Sequence, residues 1–501
     1  MKIRILLFAA LLFTNSSACA ETNTAPSSNK PNILFIFADD MCYDTINALG
    51  NSEIRTPNID RLARTGTTFT NTYNMGGWNG AICIASRTML NTGKFIWRAK
   101  ATKFNSFVEE EKTWSQLLSK AGYETYMTGK WHVGGLKTKK IFDHVIHERP
   151  GMPNQTPEGY FRPVKGEPDK WSPYDPKFEG FWKGGKHWSE VLADDATNFL
   201  ANAAKSDDPF FMYLAFNAPH DPRQAPKKFV DMYPTDNISM PKNFLPSYPF
   251  KEEIGCYRFP KKNSTTEFNY QRDERLAPWP RTEYAVKVNL QEYYAIITHM
   301  DEQIGRILKA LEETGKADNT YIFFTADHGL ACGQHGLLGK QNMYEHSMRP
   351  PMILVGDKIP QNETRNAQVY FQDLMPTTLE IAGVEKPEHV DFNSLIPYIN
   401  DAKTKSVYQE IYGCYEKSLQ RMIRVDDWKL IVYPKAKVVR LFDLASDPHE
   451  MNDLASAPEQ RSRVKEMFQR LVALAKDMDD ALDLAPVFPD LASEIGAVDH
   501  N

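Results

Sequence analysis

The chain has 501 residues, of which 42% are hydrophobic, 25% charged and 12% aromatic, and this balance excludes an intrinsically disordered protein. The 59 Lys and Arg residues and 64 Asp and Glu residues give a net charge of -5 with no block of like charge, which excludes the basic footprint of a DNA- or RNA-binding protein. Six cysteines are too few for a disulfide-dependent scaffold, and the length favours one large α/β domain with a smaller companion.

The first 20 residues have the pattern of a secretory signal peptide. Lys2 and Arg4 precede an apolar run over residues 5–13, and Ala18-Cys19-Ala20 fits an A-x-A cleavage site. Residues 21–30 are polar and rich in Pro and Ser, which predicts a flexible leader. We therefore expect a secreted or periplasmic protein. Lipoprotein anchoring at Cys19 is the alternative, which the polar residues before it disfavour.

Four apolar runs of strand length each lead into a polar cluster. The runs and their clusters are residues 33–37 with Asp39-Asp40, 123–127 with Gly129-Lys130-Trp131-His132, 210–216 with Asn217-Ala218-Pro219-His220-Asp221, and 321–325 with Ala326-Asp327-His328-Gly329. Helical patterns lie between them, the clearest over residues 291–314. This alternation predicts an α/β fold with a large, mostly parallel sheet flanked by helices. Ligands bind such sheets outside the carboxyl ends of the strands, so the four clusters should converge on one edge.

The remaining stretches predict the domain organisation. Residues 141–190 and 235–285 have little periodicity and many Pro, Trp, Tyr and Lys residues, which indicates long functional loops. After about residue 395, three short strand-like runs precede an amphipathic helix that carries Val464, Met467, Phe468, Leu471 and Leu474 on one face. We predict a catalytic domain over residues 31–395, a smaller C-terminal α+β domain over 396–485 and a tail over 486–501. No stretch of 18 apolar residues follows the signal, so no transmembrane segment is predicted.

Two groups of residues carry candidate chemistry. Asp39, Asp40, Asp327 and His328 offer three carboxylates and an imidazole, a set that favours Ca²⁺ or Mg²⁺ over zinc. Cys83 lies near a predicted helix start with a cation four residues later, so it is either an activated thiolate or a buried structural thiol.

The sequence around Cys83 resembles the signature of the type I sulfatases, which belong to the alkaline phosphatase superfamily. It reads Cys83-x-Ala85-Ser86-Arg87 followed by Leu90-Asn91-Thr92-Gly93. Other matching segments appear in family order: Pro31-Asn32-Ile33-Leu34, Thr56-Pro57-Asn58-Ile59-Asp60-Arg61-Leu62-Ala63, Gly129-Lys130-Trp131-His132, Pro219-His220, Asp327-His328-Gly329, Leu441-Phe442-Asp443-Leu444 and Asp447-Pro448. The chain departs from the common form at Ala85, where most members have Pro. The Ala form resembles a variant found mainly in bacterial members.

The resemblance implies a cofactor and a metal ion. Cys83 would be oxidised to formylglycine (3-oxoalanine) by a formylglycine-generating enzyme and then hydrated to a diol. One Ca²⁺ would be bound by the modified Cys83 together with Asp39, Asp40, Asp327 and His328.

The resemblance also implies roles for six catalytic residues. Besides Cys83, Arg87 and Lys130 would hold the diol and sulfate, and Lys340 would be a second sulfate-binding cation. His220 would donate a proton to the departing sugar oxygen, and His132 would take the proton of the second hydroxyl.

Five further residues are candidates for a substrate pocket. Gln334 and His335 follow the Asp327-His328 pair closely, and Trp78, Asn79 and Trp97 flank the Cys83 motif. Aromatic faces suit sugar rings, but a turn-stabilising His and core Trp residues explain the same positions.

Together these features predict an exported, calcium-dependent sulfatase, a sulfuric ester hydrolase that acts on a sulfated carbohydrate in bacterial polysaccharide degradation. Its partners would be that substrate and the sulfatase-maturing enzyme. One alternative is a phosphodiesterase or phosphonate monoester hydrolase of the same superfamily. A second alternative, from a different class, is a catalytically silent glycan-binding protein.

Overall fold

The computed structural model describes residues 30–134, 138–255, 259–260, 268–269 and 273–493. The predicted signal peptide with Cys19, nearly all of the leader, Cys256 and the last eight residues of the tail lie outside these ranges. Within the described ranges, no helix has the length and apolar character needed to cross a membrane.

The described chain contains fifteen strands. In chain order they are β1 Asn32–Ala38, β2 Thr67–Tyr73, β3 Gly76–Gly77, β4 Glu124–Lys130, β5 His144–Arg149, β6 Phe210–Ala215, β7 Phe259–Pro260, β8 Phe268–Asn269, β9 Thr320–Ala326, β10 Met352–Val355, β11 Glu363–Tyr370, β12 Ile411–Tyr415, β13 Gln420–Val425, β14 Trp428–Tyr433 and β15 Val438–Asp443.

The same part of the chain contains thirteen α-helices. They are α1 Pro57–Thr65, α2 Ile82–Thr92, α3 Ile96–Ala101, α4 Phe104–Glu109, α5 Trp114–Lys120, α6 Trp188–Ala203, α7 Lys227–Val230, α8 Glu283–Glu313, α9 Glu345–Met348, α10 Leu374–Ile381, α11 Ile396–Asn400, α12 Arg461–Asp477 and α13 Pro489–Ala492.

Eight of the described strands form one large sheet in the order β11-β2-β10-β9-β1-β6-β4-β5. The strands are parallel except β10, which pairs antiparallel with both β2 and β9. The central strand β1 is buried along its whole length because helices cover both faces. Leu34 and Ile36 belong to one hydrophobic core, and Ile33, Phe35 and Phe37 to the other. The predicted α/β class with a mostly parallel sheet is confirmed.

Two expectations about this domain were wrong in detail. Residues 141–190 were expected to be irregular, but they contain β5, an exposed edge strand whose polar sequence has no apolar alternation. The long helix was expected from about residue 291, but α8 begins at Glu283. Its first turns bury the polar Asn289, which accepts a hydrogen bond from Arg223 at 2.9 Å, so the apolar periodicity is interrupted there.

The second sheet of the described chain belongs to the C-terminal part. Strands β12 to β15 pair antiparallel in sequence order, and α12 packs on them through Val464, Met467, Phe468 and Leu471. The short strand β3, far away in sequence, adds to this sheet by pairing in parallel with β12. A Cβ atom at Gly76 of β3 would collide with the carbonyl oxygen of Cys414, so the approach requires glycine. Thus the smaller sheet contacts the segment that leads to Cys83.

Asp301, buried in the middle of α8, caps the first turn of α1. Its carboxylate accepts hydrogen bonds from the backbone N–H groups of Asn58 at 3.1 Å and Ile59 at 2.8 Å, and from the Asn58 side chain at 2.9 Å. Burial raises the pKa of Asp301 to about 6. This contact ties α1 to the longest helix and gives the Pro57-Asn58-Ile59 segment a structural role.

We expect the substitution Asp301→Ala to lower the free energy of unfolding by about 1–3 kcal/mol, because it leaves buried N–H groups of α1 without acceptors. Thermal and urea unfolding midpoints would measure the change. The neighbouring Glu302→Ala is the matched control, because Glu302 makes only an exposed ion pair with Lys228. Equal midpoints for the two variants would show that Asp301 does not stabilise α1.

Candidate active site

The carboxyl ends of four neighbouring strands form one buried edge of the large sheet. Strand β1 leads to Asp39 and Asp40, β9 to Asp327 and His328, β6 to His220, and β4 ends at Lys130. The loops are joined by backbone hydrogen bonds, from Asp39 N to Ala218 O at 3.0 Å and from Asp327 N to Ala38 O at 3.4 Å. Each of these six side chains is at most 3% exposed, so the charges that they carry must be balanced locally.

Cys83 is the second residue of α2, and its side chain lies against this edge. It is 1% exposed, and its Sγ lies 3.4 Å from Lys340 Nζ. Burial alone would raise the pKa of the Cys83 thiol, but the positive charges of Lys130 and Lys340 lower it well below its usual value. The structure thus favours the activated interpretation of Cys83 over an inert structural thiol.

Three carboxylates and one imidazole surround the thiol. Ligand atoms of Asp39, Asp40, Cys83 and His328 all lie within 4.8 Å of one another. Asp327 stands at the side of this group, where its Oδ1 accepts a hydrogen bond from Asp40 N at 3.2 Å. Burial and the adjacent Asp327 carboxylate raise the pKa of Asp39 well above its usual value.

The donor atoms of this cluster fit a divalent cation. Asp39 Oδ1 and His328 Nε2 are buried, and neither makes a hydrogen bond within the described chain. His328 Nε2 nevertheless lies 3.1 Å from Asp40 Oδ1, while His328 Nδ1 is fixed by the carbonyl oxygen of Gly329 at 2.8 Å. An imidazole with one nitrogen held by a carbonyl and the other facing carboxylates has the geometry of a metal ligand. The predominance of carboxylate oxygens suits Ca²⁺ or Mg²⁺.

Three cations neutralise the carboxylates. Arg87 Nε donates to Asp327 Oδ2 at 2.9 Å, and Arg87 NH1 donates to the carbonyl oxygen of Lys130 at 2.9 Å. Lys130 Nζ donates to Asp39 Oδ2, and Lys340 Nζ lies 2.8 Å from both carboxylate oxygens of Asp40. The same cations lie next to Cys83, where their N–H groups could also bind the oxygens of a tetrahedral anion.

The two predicted histidines lie on different sides of Cys83. His220 Nε2 is 3.2 Å from Lys340 Nζ and 3.5 Å from Asp40 Oδ2, and its Nδ1 faces the carbonyl oxygen of Asp221 at 2.7 Å. Burial lowers the pKa of His220, but the carboxylates of Asp40, Asp221 and Asp39 together outweigh this effect and raise the pKa to about 10.

His132 has a left-handed backbone with φ of 55°, and it lines the same cavity as Cys83. Burial lowers the pKa of His132. The ring packs on Gly151, where any Cβ atom would collide with it.

A cavity of about 300 Å³ opens directly onto Cys83. Its lining consists of Gly80, Ala81, Cys83, His132, Gly151, Met152, His220, Asp273, Lys340 and Gln341. Sequence reasoning missed Gly151, Met152, Asp273 and Gln341. Gln341 joins two walls, because its Nε2 donates to Gly80 O at 2.8 Å and to Asp273 Oδ2 at 2.9 Å. The position of Gln341 directly after Lys340 was the one feature of the sequence that could have indicated its place in the cavity wall.

The five candidate pocket residues lie elsewhere among the described residues. His335 stacks on Tyr344 with a ring separation of 4.0 Å, and Gln334 Oε1 accepts a hydrogen bond from Cys332 N. Trp97 Nε1 donates to Tyr412 OH at 3.1 Å.

Trp78 packs on the core of the smaller sheet, and Asn79 precedes Gly80 of the cavity wall with its Oδ1 buried and without a hydrogen bond inside the described chain. Of the five, Asn79 alone is sequence-adjacent to the cavity lining of the described structure.

Comparison with known proteins agrees with this architecture. The sulfatase family model matches residues 31–384, and the model of the N-sulphoglucosamine sulphohydrolase C-terminal region matches residues 333–477. The N-acetylglucosamine-6-O-sulfatase of Bacteroides thetaiotaomicron is 28% identical, over 95% of this chain and 91% of its own length.

Solved structures share the fold. A structure of a protein in complex with its substrate D-glucosamine-2-N,6-O-disulfate has a TM-score of 0.70 and 26% identity, covering 90% of this chain and 99% of its own. The phosphonate monoester hydrolase of Agrobacterium radiobacter has a TM-score of 0.67 and 19% identity over 91% of this chain and 97% of its own. The latter likeness shows a common fold only. Because the sulfatase model matches well over half of the chain, and the fold agrees with it, the protein belongs to the sulfatase family and is a sulfuric ester hydrolase with an alkaline phosphatase-like fold.

Proposed function

We propose that this protein is an exported, calcium-dependent sulfatase that hydrolyses a sulfate ester of a sulfated glycan, with a formylglycine made from Cys83. This proposal rests mainly on the burial of Cys83 against carboxylates and an imidazole from strand ends, together with the cations Arg87, Lys130 and Lys340. The names of the relatives, an N-acetylglucosamine-6-O-sulfatase and a protein bound to a disulfated glucosamine, support a carbohydrate substrate.

Two groups would complete the site. Asp39, Asp40, Asp327 and His328 would hold Ca²⁺ beside residue 83. The hydrated aldehyde of formylglycine supplies the nucleophilic oxygen, and the metal ion supplies a charge that activates this oxygen and offsets the sulfate charge. Asp39 Oδ1 and His328 Nε2, which are buried and make no hydrogen bond among the described residues, support this placement.

The side chains around residue 83 would bind and orient the sulfate group. Arg87 and Lys130 are held by Asp327 and Asp39, so their positions are fixed before the substrate arrives. Lys340 faces the cavity and would bind a second sulfate oxygen. Because these cations are buried, they would interact more strongly than exposed cations with the charge that moves from sulfur to the departing oxygen.

The two histidines would move protons at opposite ends of the reaction. His220 lines the cavity, with its Nε2 3.2 Å from Lys340 Nζ, and would donate a proton to the departing sugar oxygen. His132, which lines the cavity together with residue 83, would accept a proton there when sulfate is released. Gly151 has no Cβ atom and therefore leaves room for the His132 ring in this position.

Organisation and export are part of the same proposal. The large sheet spans residues 32–370, and β12 to β15 span 411–443, which supports a catalytic domain over 31–395 and a smaller domain over 396–485. The signal pattern of residues 1–20 supports export, and the Cys83 motif supports a formylglycine-generating enzyme as the partner in maturation.

Protein made with a co-expressed maturing enzyme should contain formylglycine at position 83. We expect the Cys83 peptide to show the mass loss of a thiol converted to an aldehyde, and Cys83→Ala to abolish hydrolysis of an aryl sulfate, because the nucleophile is removed. Peptide mass spectrometry and kcat/KM measure the two effects, and the peptide with the buried Cys332 is the unmodified control.

An active enzyme with an intact Cys83 thiol would refute the formylglycine proposal. Faster turnover of an aryl phosphonate than of the matching aryl sulfate would favour the phosphonate hydrolase alternative. Sugar binding without turnover of either substrate would favour the silent glycan-binding protein.

Calcium should stabilise the folded protein through the carboxylate cluster. We expect a chelator to lower the thermal midpoint and Ca²⁺ to restore it, because the ion offsets the repulsion between buried Asp39 and Asp327. Asp39→Asn should lose most of this calcium-dependent shift, whereas the exposed Asp318→Asn should keep it. The measurement is differential scanning calorimetry with and without added Ca²⁺. A full calcium shift in Asp39→Asn would place the ion elsewhere.

The effect of replacing His220 should depend on the leaving group. We expect His220→Asn to lower kcat/KM for a sugar sulfate by about 10²–10⁴-fold, because an alkoxide leaves poorly without a proton. The same variant should retain far more activity on nitrophenyl sulfate, whose anion leaves without protonation. The comparison of both substrates with the wild-type enzyme is the measurement. Equal losses on the two substrates would exclude a proton-donor role.

A further inference from the structure

A second cavity, of about 570 Å³, lies away from Cys83. We name it the basic groove and define it by Lys94, Lys103, Phe107, Lys112 and His389, which line it together with Arg98, Ala101, Thr102, Ser106 and Glu110. It starts directly after Gly93, which ends α2, whereas Cys83 is at the beginning of that helix. Ten residues of α-helix separate the two positions by about 15 Å along the helix axis.

The lining of the basic groove is strongly biased towards positive charge. It contains four permanent cations and one carboxylate, in a chain whose net charge is -5. Arg98 is held by Asp391 at 2.8 Å and Asp479 at 2.7 Å, and Lys112 pairs with Glu110. Because the charges of Arg98 and Lys112 are offset by these carboxylates, the two residues add little net charge to the groove.

Lys94 and Lys103 supply the excess. Within the described chain neither lysine makes an ion pair, and the one hydrogen-bond acceptor of Lys94 is the hydroxyl of Thr102 at 3.2 Å. Lys94 is partly exposed and Lys103 is exposed, and both line the groove, so their charges are accessible to a ligand there. Two uncompensated ammonium groups in a concave surface focus a positive potential there.

The floor of the groove adds an apolar face and a hydrogen-bonding group. The Phe107 ring is buried, with Lys94 Nζ 5.2 Å from its centroid and the edge of His389 at a centroid distance of 5.1 Å. His389 Nε2 is shielded from solvent and has no hydrogen-bond partner in the described structure. Burial and the nearby cations Lys94 and Lys112 lower the pKa of His389. Cations next to an aromatic ring suit a ligand that has both anionic groups and apolar C–H faces.

We propose that the basic groove is a second binding site for a sulfated polysaccharide, separate from the catalytic cavity. Lys94 and Lys103 would bind sulfate groups of the polymer, and Phe107 would contact a sugar ring. This inference rests on the proposed function, because a sulfated glycan is the polyanion that such an enzyme meets. The groove would keep a long chain on the enzyme while one of its sulfated sugars occupies the cavity at Cys83.

Binding of fluorescently labelled dextran sulfate to the full chain tests this proposal, with labelled neutral dextran as the comparison. We expect the double variant Lys94→Gln/Lys103→Gln to raise the Kd for dextran sulfate about tenfold and to weaken its salt dependence, because two uncompensated cations are lost. The control is Lys205→Gln/Lys309→Gln, which removes the same charge from exposed lysines outside the groove. Its Kd should stay within about twofold of the wild-type value.

The proposal is overturned if the groove variant binds dextran sulfate as tightly as the wild type, or if the control variant loses the same affinity. Wild-type binding of neutral dextran as tight as that of dextran sulfate would also overturn it. In the groove variant, kcat/KM for a small aryl sulfate should be unchanged. Failure of the proposed function would look different from failure of this proposal. In that case the wild-type protein would not hydrolyse sulfate esters, whatever its affinity for dextran sulfate.

Discussion

The structure depends on charge balance among buried side chains. Asp39, Asp40 and Asp327 are buried next to a thiol, and each is paired with a cation that is equally buried. Removal of one partner would leave an uncompensated charge in a region of low dielectric constant, at a cost of several kcal/mol. Such a cluster persists only when rigid elements hold both partners, and the central strands of the large sheet fulfil this requirement.

Much of the fold could be predicted from the sequence, because the central strands are buried on both faces. β1, β6 and β9 have continuous apolar runs that predict buried strands. The polar residues at their carboxyl ends could therefore be predicted from the sequence as well. The peripheral strands gave weaker signals. β5 is an exposed polar edge, and β3 consists of two glycines whose strand character exists only through pairing with β12.

The site was predictable only in part, for a related physical reason. Residues at strand ends, such as Asp40 and Lys130, are placed by the sheet, so their convergence follows from topology. The cavity walls come from loops whose shape depends on tertiary contacts. Gly151 reaches His132 from a segment with no regular structure, whereas His335 is close in sequence to His328 but stacks on Tyr344 instead. Proximity in sequence was therefore a poor guide to pocket residues.

The pairing of β3 with β12 bears on the order of folding and of the proposed modification of Cys83. In the folded state Cys83 is 1% exposed, and the segment before it is fixed in the smaller sheet through Cys414. The maturing enzyme of the proposed function would have to reach Cys83 before β3 pairs with β12. Because β12 is synthesised long after Cys83, this pairing and the burial that it brings would follow the proposed modification.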